Sequence, residues 1–165
     1  MTRKILGCLL FCFASLLAQF KAGDTSLGGS VSYERNYWNK EAQISIFGIQ
    51  PECNYFILNN FSLQIIGLTS VYIYPKDWGS NPDSDLGLGL GAKYFLRSFY
   101  IGSSFVYKRW NNIPARNDLL IEAGYLLKLN QKVFLDLGCN YTTGISDVNR
   151  KISKVKLELG IVAFL

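Results

Sequence analysis

The sequence predicts an all-β fold: an eight-stranded antiparallel up-and-down transmembrane β-barrel, preceded by a cleavable signal peptide. Beyond residue 27, apolar residues recur with period two between short turn sequences, which is the pattern of half-buried strands. The chain is rich in aromatic residues (10 Tyr, 11 Phe and 3 Trp) and in glycine (15 residues), as is typical of closed antiparallel sheets. After residue 22, no apolar run is long enough to form a transmembrane helix.

The beginning of the chain has the pattern of a secretory signal. A short basic segment precedes the apolar run Ile5–Leu17. We expect cleavage after Ala18 or Ala22, although the residues at the −3 positions, Leu16 and Phe20, are larger than usual. The alternative is an uncleaved anchor helix, for which this apolar run is short. The predicted organisation is a signal peptide, residues 1–22, followed by an outer-membrane β-barrel, residues 23–165.

Eight strand candidates follow, and each is long enough to cross a bilayer as a tilted strand. They lie at about 28–38, 43–58, 61–74, 86–96, 98–110, 117–129, 132–144 and 152–165. Tight turns are predicted at Asn59-Asn60, Arg97 and Asn130-Gln131, and longer polar links at Asn39–Ala42, Pro75–Asp85, Asn111–Arg116 and Ile145–Lys151. An even number of strands with short turns at one end places both termini at that end, which is periplasmic in bacterial outer-membrane barrels.

The glycines indicate which face of the strands points inward. Alternation alone also fits a soluble lipocalin-like binder, whose apolar face is internal. Seven glycines lie on the polar face of the predicted strands: Gly87, Gly89, Gly91, Gly102, Gly124, Gly138 and Gly160. The interior of an eight-stranded barrel is narrow and holds mostly small side chains with a few long ones. The apolar face is therefore predicted to be convex, and it is stable there only against lipid.

The two faces predict two groups of side chains. The inward group is an ion-pair network in the lumen, because buried charges must be paired; its members are Glu34, Glu52, Lys93, Glu122, Lys128, Asp136, Lys154, Lys156 and Glu158. The second group is an aromatic girdle at the two membrane interfaces. It comprises Trp38, Tyr74, Tyr107 and Trp110 at the long-loop end, and Tyr55, Tyr94, Phe99 and Phe164 at the short-turn end.

Pro51 is the residue that fits the barrel pattern least well. It lies within the second predicted strand, and a closed barrel has no edge strand to accommodate a residue without an N–H group. The apolar phase also changes nearby, from Ile44 and Ile46 to Phe47 and Ile49. A β-bulge near Pro51 would explain both features.

No catalytic, cofactor or metal site is predicted. The chain has no histidine, which excludes His-based acid–base catalysis and the common nucleophile triads. A zinc site is not expected either, because Cys53 and Cys139 are the only cysteines of the predicted mature chain and lie on separate strands. Residues Gly87–Gly91 have the composition of a nucleotide-binding loop but lie within a period-two strand. The loop Pro75–Asp85 contains three acidic residues, for which weak binding of a divalent ion is one interpretation. It lacks a calcium-binding spacing, which favours a solvated loop instead.

The charge balance predicts no nucleic-acid partner. The formal charge is +5, from 17 basic and 12 acidic residues. Arg3, Lys4 and Lys21 lie in the predicted signal, so the mature chain has 14 basic and 12 acidic residues, or +2. This small excess has none of the clustering that a nucleic-acid surface requires.

Residues of the second predicted hairpin resemble a known family. Phe47, Pro51, Tyr55-Phe56, Asn59-Asn60 and Leu63 are similar in type and spacing to the outer-membrane protein β-barrel domain family, which includes small OmpX-like and OmpA-like barrels. The sequence departs from that motif at Asn54, Ser62 and Gln64, where Gly, Ala and Gly are common, and at its end, Phe164-Leu165, where a terminal aromatic residue is typical. The resemblance implies a barrel in the bacterial outer membrane.

These observations predict a structural or interaction barrel with a filled polar lumen, which serves envelope integrity, adhesion or surface binding through its loops. A small pore for ions or solutes is the alternative, and a lipid-modifying enzyme is a third reading that the absence of histidine weakens. The expected partners are outer-membrane lipid, lipopolysaccharide and the outer-membrane assembly machinery. We expect a monomer without a cofactor.

Overall fold

Eight antiparallel strands close into one barrel, in the order of the chain. A computed structural model describes residues 20–39, 42–74, 82–110, 115–145 and 154–165. The strands are β1 (Thr25–Asn39), β2 (Ala42–Leu58), β3 (Phe61–Ile73), β4 (Asp83–Leu96), β5 (Phe99–Trp110), β6 (Arg116–Lys128), β7 (Val133–Gly144) and β8 (Lys154–Phe164). β8 returns to pair with β1, which confirms the predicted fold class. Residues 1–19 of the predicted signal peptide lie outside the described residues, and its cleavage stays a prediction.

Among the described residues, no helix is both long and apolar enough to cross a membrane.

The connections differ in length at the two ends of the barrel. At one end the tight turns contain Asn60 and Arg97 with positive φ angles of 63° and 58°, a conformation that asparagine tolerates well. The third turn is held by the Asn130 side chain, whose Oδ1 accepts hydrogen bonds from the N–H groups of Lys132 and Val133. At the other end the β1–β2 link is shorter than predicted, because Asn39 already pairs with Ala42.

Most apolar side chains of the strands point outward, as predicted. In β4 the leucines are exposed while alternating residues are buried or small, and in β8 Leu157 is 78 % exposed. The glycines of the inward face give larger neighbours room. A Cβ atom on Gly124 would lie 2.5 Å from the Tyr100 ring, and one on Gly91 would overlap Ser104. The inward positions of Tyr100 and Ser104 thus depend on the glycines beside them.

The β-bulge that would explain Pro51 is not present in the described residues around it. The register of β2 is continuous on both sides: Gly29 pairs with Pro51, and the pairing with β3 resumes in the same register at Glu52. Pro51 has no paired residue in β3, and it has no N–H group to donate a hydrogen bond to that strand. Gly67 leaves room for the proline ring, since a Cβ there would lie 3.0 Å from Pro51 Cγ.

The apparent change of apolar phase in β2 has a different cause. Ile44 and Ile46 are buried and point into the lumen, whereas Phe47 and Ile49 are exposed on the outer face. The strand therefore keeps its alternation, and the four apolar residues are divided between its two faces.

The interior is arranged in layers along the barrel axis. Nearest the short turns lies what we call the aromatic layer, formed by Phe20, Phe56, Phe95, Tyr100, Leu126, Phe134 and Val162, with Phe164 packed against them. A second apolar group, Ile66, Val106 and Leu120, packs with Leu68 further along the axis. Charged side chains lie at two levels along the axis. Lys93 of β4 lies between the two apolar groups, and Asp118 of β6 lies beyond the second one.

Candidate functional site

The charged centre of the lumen is Lys93, which β4 directs inward two residues before Phe95. Its side chain is 2 % exposed, and its Nζ lies 2.7 Å from Glu52 Oε2 and 3.3 Å from Glu122 Oε2. The same Nζ lies 4.6 Å from the centroid of the Tyr100 ring, a cation–π distance. One cation therefore joins carboxylates from β2 and β6 across the barrel.

Asp136 continues this polar layer on β7. Its two carboxylate oxygens accept the Tyr100 hydroxyl at 2.9 and 3.1 Å. Tyr100 reaches it by passing over Gly124, where a side chain would collide with the ring. We call Lys93, Glu52, Glu122 and Asp136 the Lys93 cluster. Its carboxylates are held by an ammonium group and a phenol, which offsets part of the cost of burying charge.

Neutral polar side chains complete the Lys93 cluster. Gln64 donates to Glu52 Oε2 at 3.0 Å and accepts from the Ser104 hydroxyl at 2.9 Å. Asn54 donates to Glu52 Oε1 at 3.2 Å and to Ser26 at 3.1 Å. Asn54 and Gln64 are two of the departures from the family motif, where glycine is common. In this chain they act as hydrogen-bond partners of a buried carboxylate.

A second charged group lies near the long-loop end and was not predicted. Asp118 is fully buried; Arg116 Nη2 lies 2.7 Å and Lys108 Nζ 3.5 Å from its Oδ2. Close by, the Tyr72 hydroxyl donates to Asp85 at 2.9 Å. Asp118 could have been predicted from the alternation of β6, because it lies four residues before the inward-facing Glu122 and therefore on the same face.

The remaining predicted lumen residues occupy different places. Glu158 is half-buried and accepts the Ser30 hydroxyl at 2.7 Å. Glu34 and Lys156 are also half-buried. Lys128 was predicted in the network but is exposed, because β6 ends at this residue and its side chain extends past the rim. The side chain of Lys154 lies outside the described residues.

Three side chains of the predicted girdle are exposed on the outer face. Tyr55, Phe99 and Tyr107 are exposed there, and Phe99 packs against Tyr125 at 4.8 Å between ring centroids. Tyr74 and Tyr94 are half-buried, and the side chains of Trp38 and Trp110 lie outside the described residues. The structure corrects the prediction for Phe164. Its ring packs inside the barrel, because Phe164 lies two residues after the inward-facing Val162 in β8.

The side chains of the lumen therefore connect the strands through ion pairs, hydrogen bonds and packed rings. Within the described ranges, no group of three or more His, Cys, Asp or Glu side chains is arranged to hold a metal ion. Cys53 and Cys139 are both free thiols.

Similar proteins were found by structure. No family model matches the sequence, and no curated protein matches it. Neisserial surface protein A has a TM-score of 0.61 and 15 % identity, with 86 % of this chain and 96 % of that chain covered. For the outer membrane protein OprG from Pseudomonas aeruginosa the values are 0.59 and 13 %, with 88 % and 97 % covered.

A third similar structure is Ail, the attachment invasion locus protein of Yersinia pestis, with a TM-score of 0.52 and 12 % identity over 87 % of this chain and 99 % of that one. All three are bacterial outer-membrane proteins. At such identities the likeness shows the fold, and the exposed apolar band of this barrel is the surface that a bilayer requires. The chain therefore has the fold of the small eight-stranded barrels of bacterial outer membranes, and it belongs in that membrane.

Proposed function

We propose that this protein is a non-conducting outer-membrane barrel that contributes to envelope integrity and presents its long-end loops for surface binding. The observation that carries the proposal is the filled lumen. An eight-stranded barrel is only wide enough for side chains to fill. In this barrel, long side chains fill the lumen at successive levels along its axis. Phe56, Lys93 and Ile66 are all 2 % exposed or less.

The order of the layers supports a closed lumen. The aromatic layer occupies the short-turn end, where solutes from the periplasm would enter. The Lys93 cluster lies next to it and is held by ion pairs of 2.7 and 3.3 Å. A continuous water column would have to displace both apolar rings and paired charges, and each displacement costs free energy. Isolated internal waters fit this arrangement better than a channel does.

The surface role is supported by the architecture and by similar proteins. A rigid barrel holds its loops at one membrane face, where binding residues are commonly placed. The names of two similar structures refer to a surface protein and to an attachment invasion locus. We propose lipopolysaccharide as one partner, since the exposed apolar band adjoins the leaflet that contains it, and the outer-membrane assembly machinery as the partner during insertion. The barrel acts as a monomer in this proposal.

Planar-bilayer recording tests the proposal. The purified barrel should show no steady porin-like conductance, with at most rare small openings. A stable, large and voltage-insensitive conductance would replace the structural function with transport. The surface role is tested separately: cells that display the protein should bind lipopolysaccharide-coated or host-cell surfaces better than cells with residues 75–81 replaced by a Gly-Ser segment. Equal binding would contradict a role for that loop.

A further inference from the structure

The residues before β1 are built into the barrel. Phe20 is 3 % exposed and forms part of the aromatic layer. Its ring stacks on Phe164 with centroids 4.3 Å apart and an interplanar angle of 7°. It also contacts Phe95 and Phe56 at 5.0 and 5.2 Å. Phe20 thus fills the centre of the lumen at the short-turn end.

The backbone around Phe20 is bonded to the first tight turn. The Phe20 N–H donates to Asn60 Oδ1 at 3.2 Å, and the Asn60 N–H donates back to the Phe20 carbonyl at 3.1 Å. The Ala22 N–H donates to Asn59 Oδ1 at 3.1 Å. The Asn59-Asn60 pair, which the sequence presented as a turn only, therefore also receives the N-terminal segment.

A specific turn directs Phe20 into the lumen. The Lys21 N–H donates to the Asp24 carboxylate at 2.8 Å, and the Asp24 N–H donates to the Lys21 carbonyl at 3.1 Å. Between them Gly23 has a φ of 94°, in the region that L side chains avoid. The Gly23 N–H then bonds the Phe56 carbonyl at 2.8 Å, which joins the turn to β2.

These contacts distinguish between the two candidate cleavage sites. Cleavage after Ala22 would remove Phe20, leave a hole among the rings of the aromatic layer, and discard the bonds to Asn59 and Asn60. The turn at Gly23 would then have no segment to direct. Cleavage after Ala18 keeps every one of these contacts, and it places a small residue at the −1 position directly after the apolar run.

We propose that the signal is cut at the Ala18–Gln19 peptide bond, so that the mature chain keeps Phe20 as the closure of the lumen at its short-turn end. The step is a hydrolysis by a signal peptidase. One water is consumed, the C–N bond breaks, Ala18 gains a carboxylate and Gln19 gains an amino group. The mature protein then starts at Gln19, one residue before Phe20, whose ring belongs to the aromatic layer.

The N-terminus of the wild-type protein tests the proposal directly. The full chain is expressed in a Gram-negative host, the outer membrane is isolated, and the intact mass and N-terminal peptide are determined by mass spectrometry. The expected N-terminus is Gln19, either free or cyclised with loss of one ammonia. A start at Gly23, at Met1 or at any other residue would overturn the assignment.

A pair of variants tests the closure itself. Phe20→Ala removes the ring, whereas Lys21→Ala changes an exposed neighbour in the same turn. Both variants are refolded from the mature chain that starts at Gln19, because Phe20→Ala in the full chain would place a small residue at the −3 position of the Ala22 site. Phe20→Ala should shift the unfolding equilibrium toward the unfolded state by about tenfold or more, because a buried ring is lost from a packed layer. It should also increase ion leakage across planar bilayers. If Phe20→Ala does not fold, Phe20→Leu is measured instead. Stability and leakage equal to those of Lys21→Ala would refute the closure.

Discussion

Replacing Lys93 with methionine tests whether the Lys93 cluster stabilises the barrel. The substitution keeps most of the length of the unbranched side chain and removes its charged Nζ. The Glu52 and Glu122 carboxylates, 7 % and 2 % exposed, would then share the lumen without the ammonium that lies 2.7 and 3.3 Å from them. Breaking a buried ion pair by removing one partner costs about 3–5 kcal/mol. We expect a loss in that range.

Two comparisons separate this effect from loss of a charge in general. Lys128→Met removes a lysine that is exposed at the same end of the barrel, and surface changes of this kind stay within about 0.5 kcal/mol. Lys93→Met combined with Glu52→Gln and Glu122→Gln should recover most of the lost stability. The recovery is expected because the two carboxylates that the ammonium pairs are then neutral, while Asp136 keeps its hydrogen bonds from the Tyr100 hydroxyl.

The assay is a urea titration of barrels folded into phospholipid vesicles. The folded fraction is read from heat-modifiable migration on gels and from tryptophan fluorescence. If Lys93→Met costs no more than Lys128→Met, or if the triple variant is less stable than Lys93→Met alone, the cluster does not act through paired charge and the reasoning is refuted.

Three further outcomes can be checked in the same vesicles. Leu159→Arg, on the lipid face, should cost about 2–4 kcal/mol, and Glu158→Gln, its inward neighbour, less; equal costs would mean that the faces are reversed. Gly124→Ala should cost about 1–3 kcal/mol by forcing the Tyr100 ring aside, and should cost less in a Tyr100→Leu background; an unchanged cost would contradict that contact. A lipid-soluble maleimide should label Cys139 in the folded barrel and a charged one should not, so labelling by the charged reagent would place this thiol in water.

Local chemistry was sufficient to predict the strands and turns. Period-two alternation fixes which residues of one strand share a face, and turn residues such as Asn59-Asn60 mark where the chain reverses. These signals depend on neighbours in sequence, so all eight strands were predicted within a few residues of their positions in the structure. The inward direction of the glycine-bearing face could also be predicted, because a narrow interior excludes large side chains at most positions.

Contacts across the lumen were decided only by closure of the barrel. Parity makes Lys93 an inward residue, but its partners on β2 and β6 follow from the register and tilt of strands that are distant in sequence. For the same reason the sequence did not exclude Lys128, whose position at the end of β6 exposes it.

Phe20 shows most clearly the difference between what the local sequence predicts and what closure of the barrel decides. In the sequence it is a large residue near a cleavage site, and nothing in its neighbours indicates burial. In the structure it stacks on Phe164, from the opposite end of the chain, because closure of the barrel brings both termini to the same opening. The sequence by itself determined the strands and their faces, since those depend on local periodicity. Only the tertiary structure decided which lumen side chains contact one another and that Phe20 packs among them, since those contacts join residues far apart in the chain.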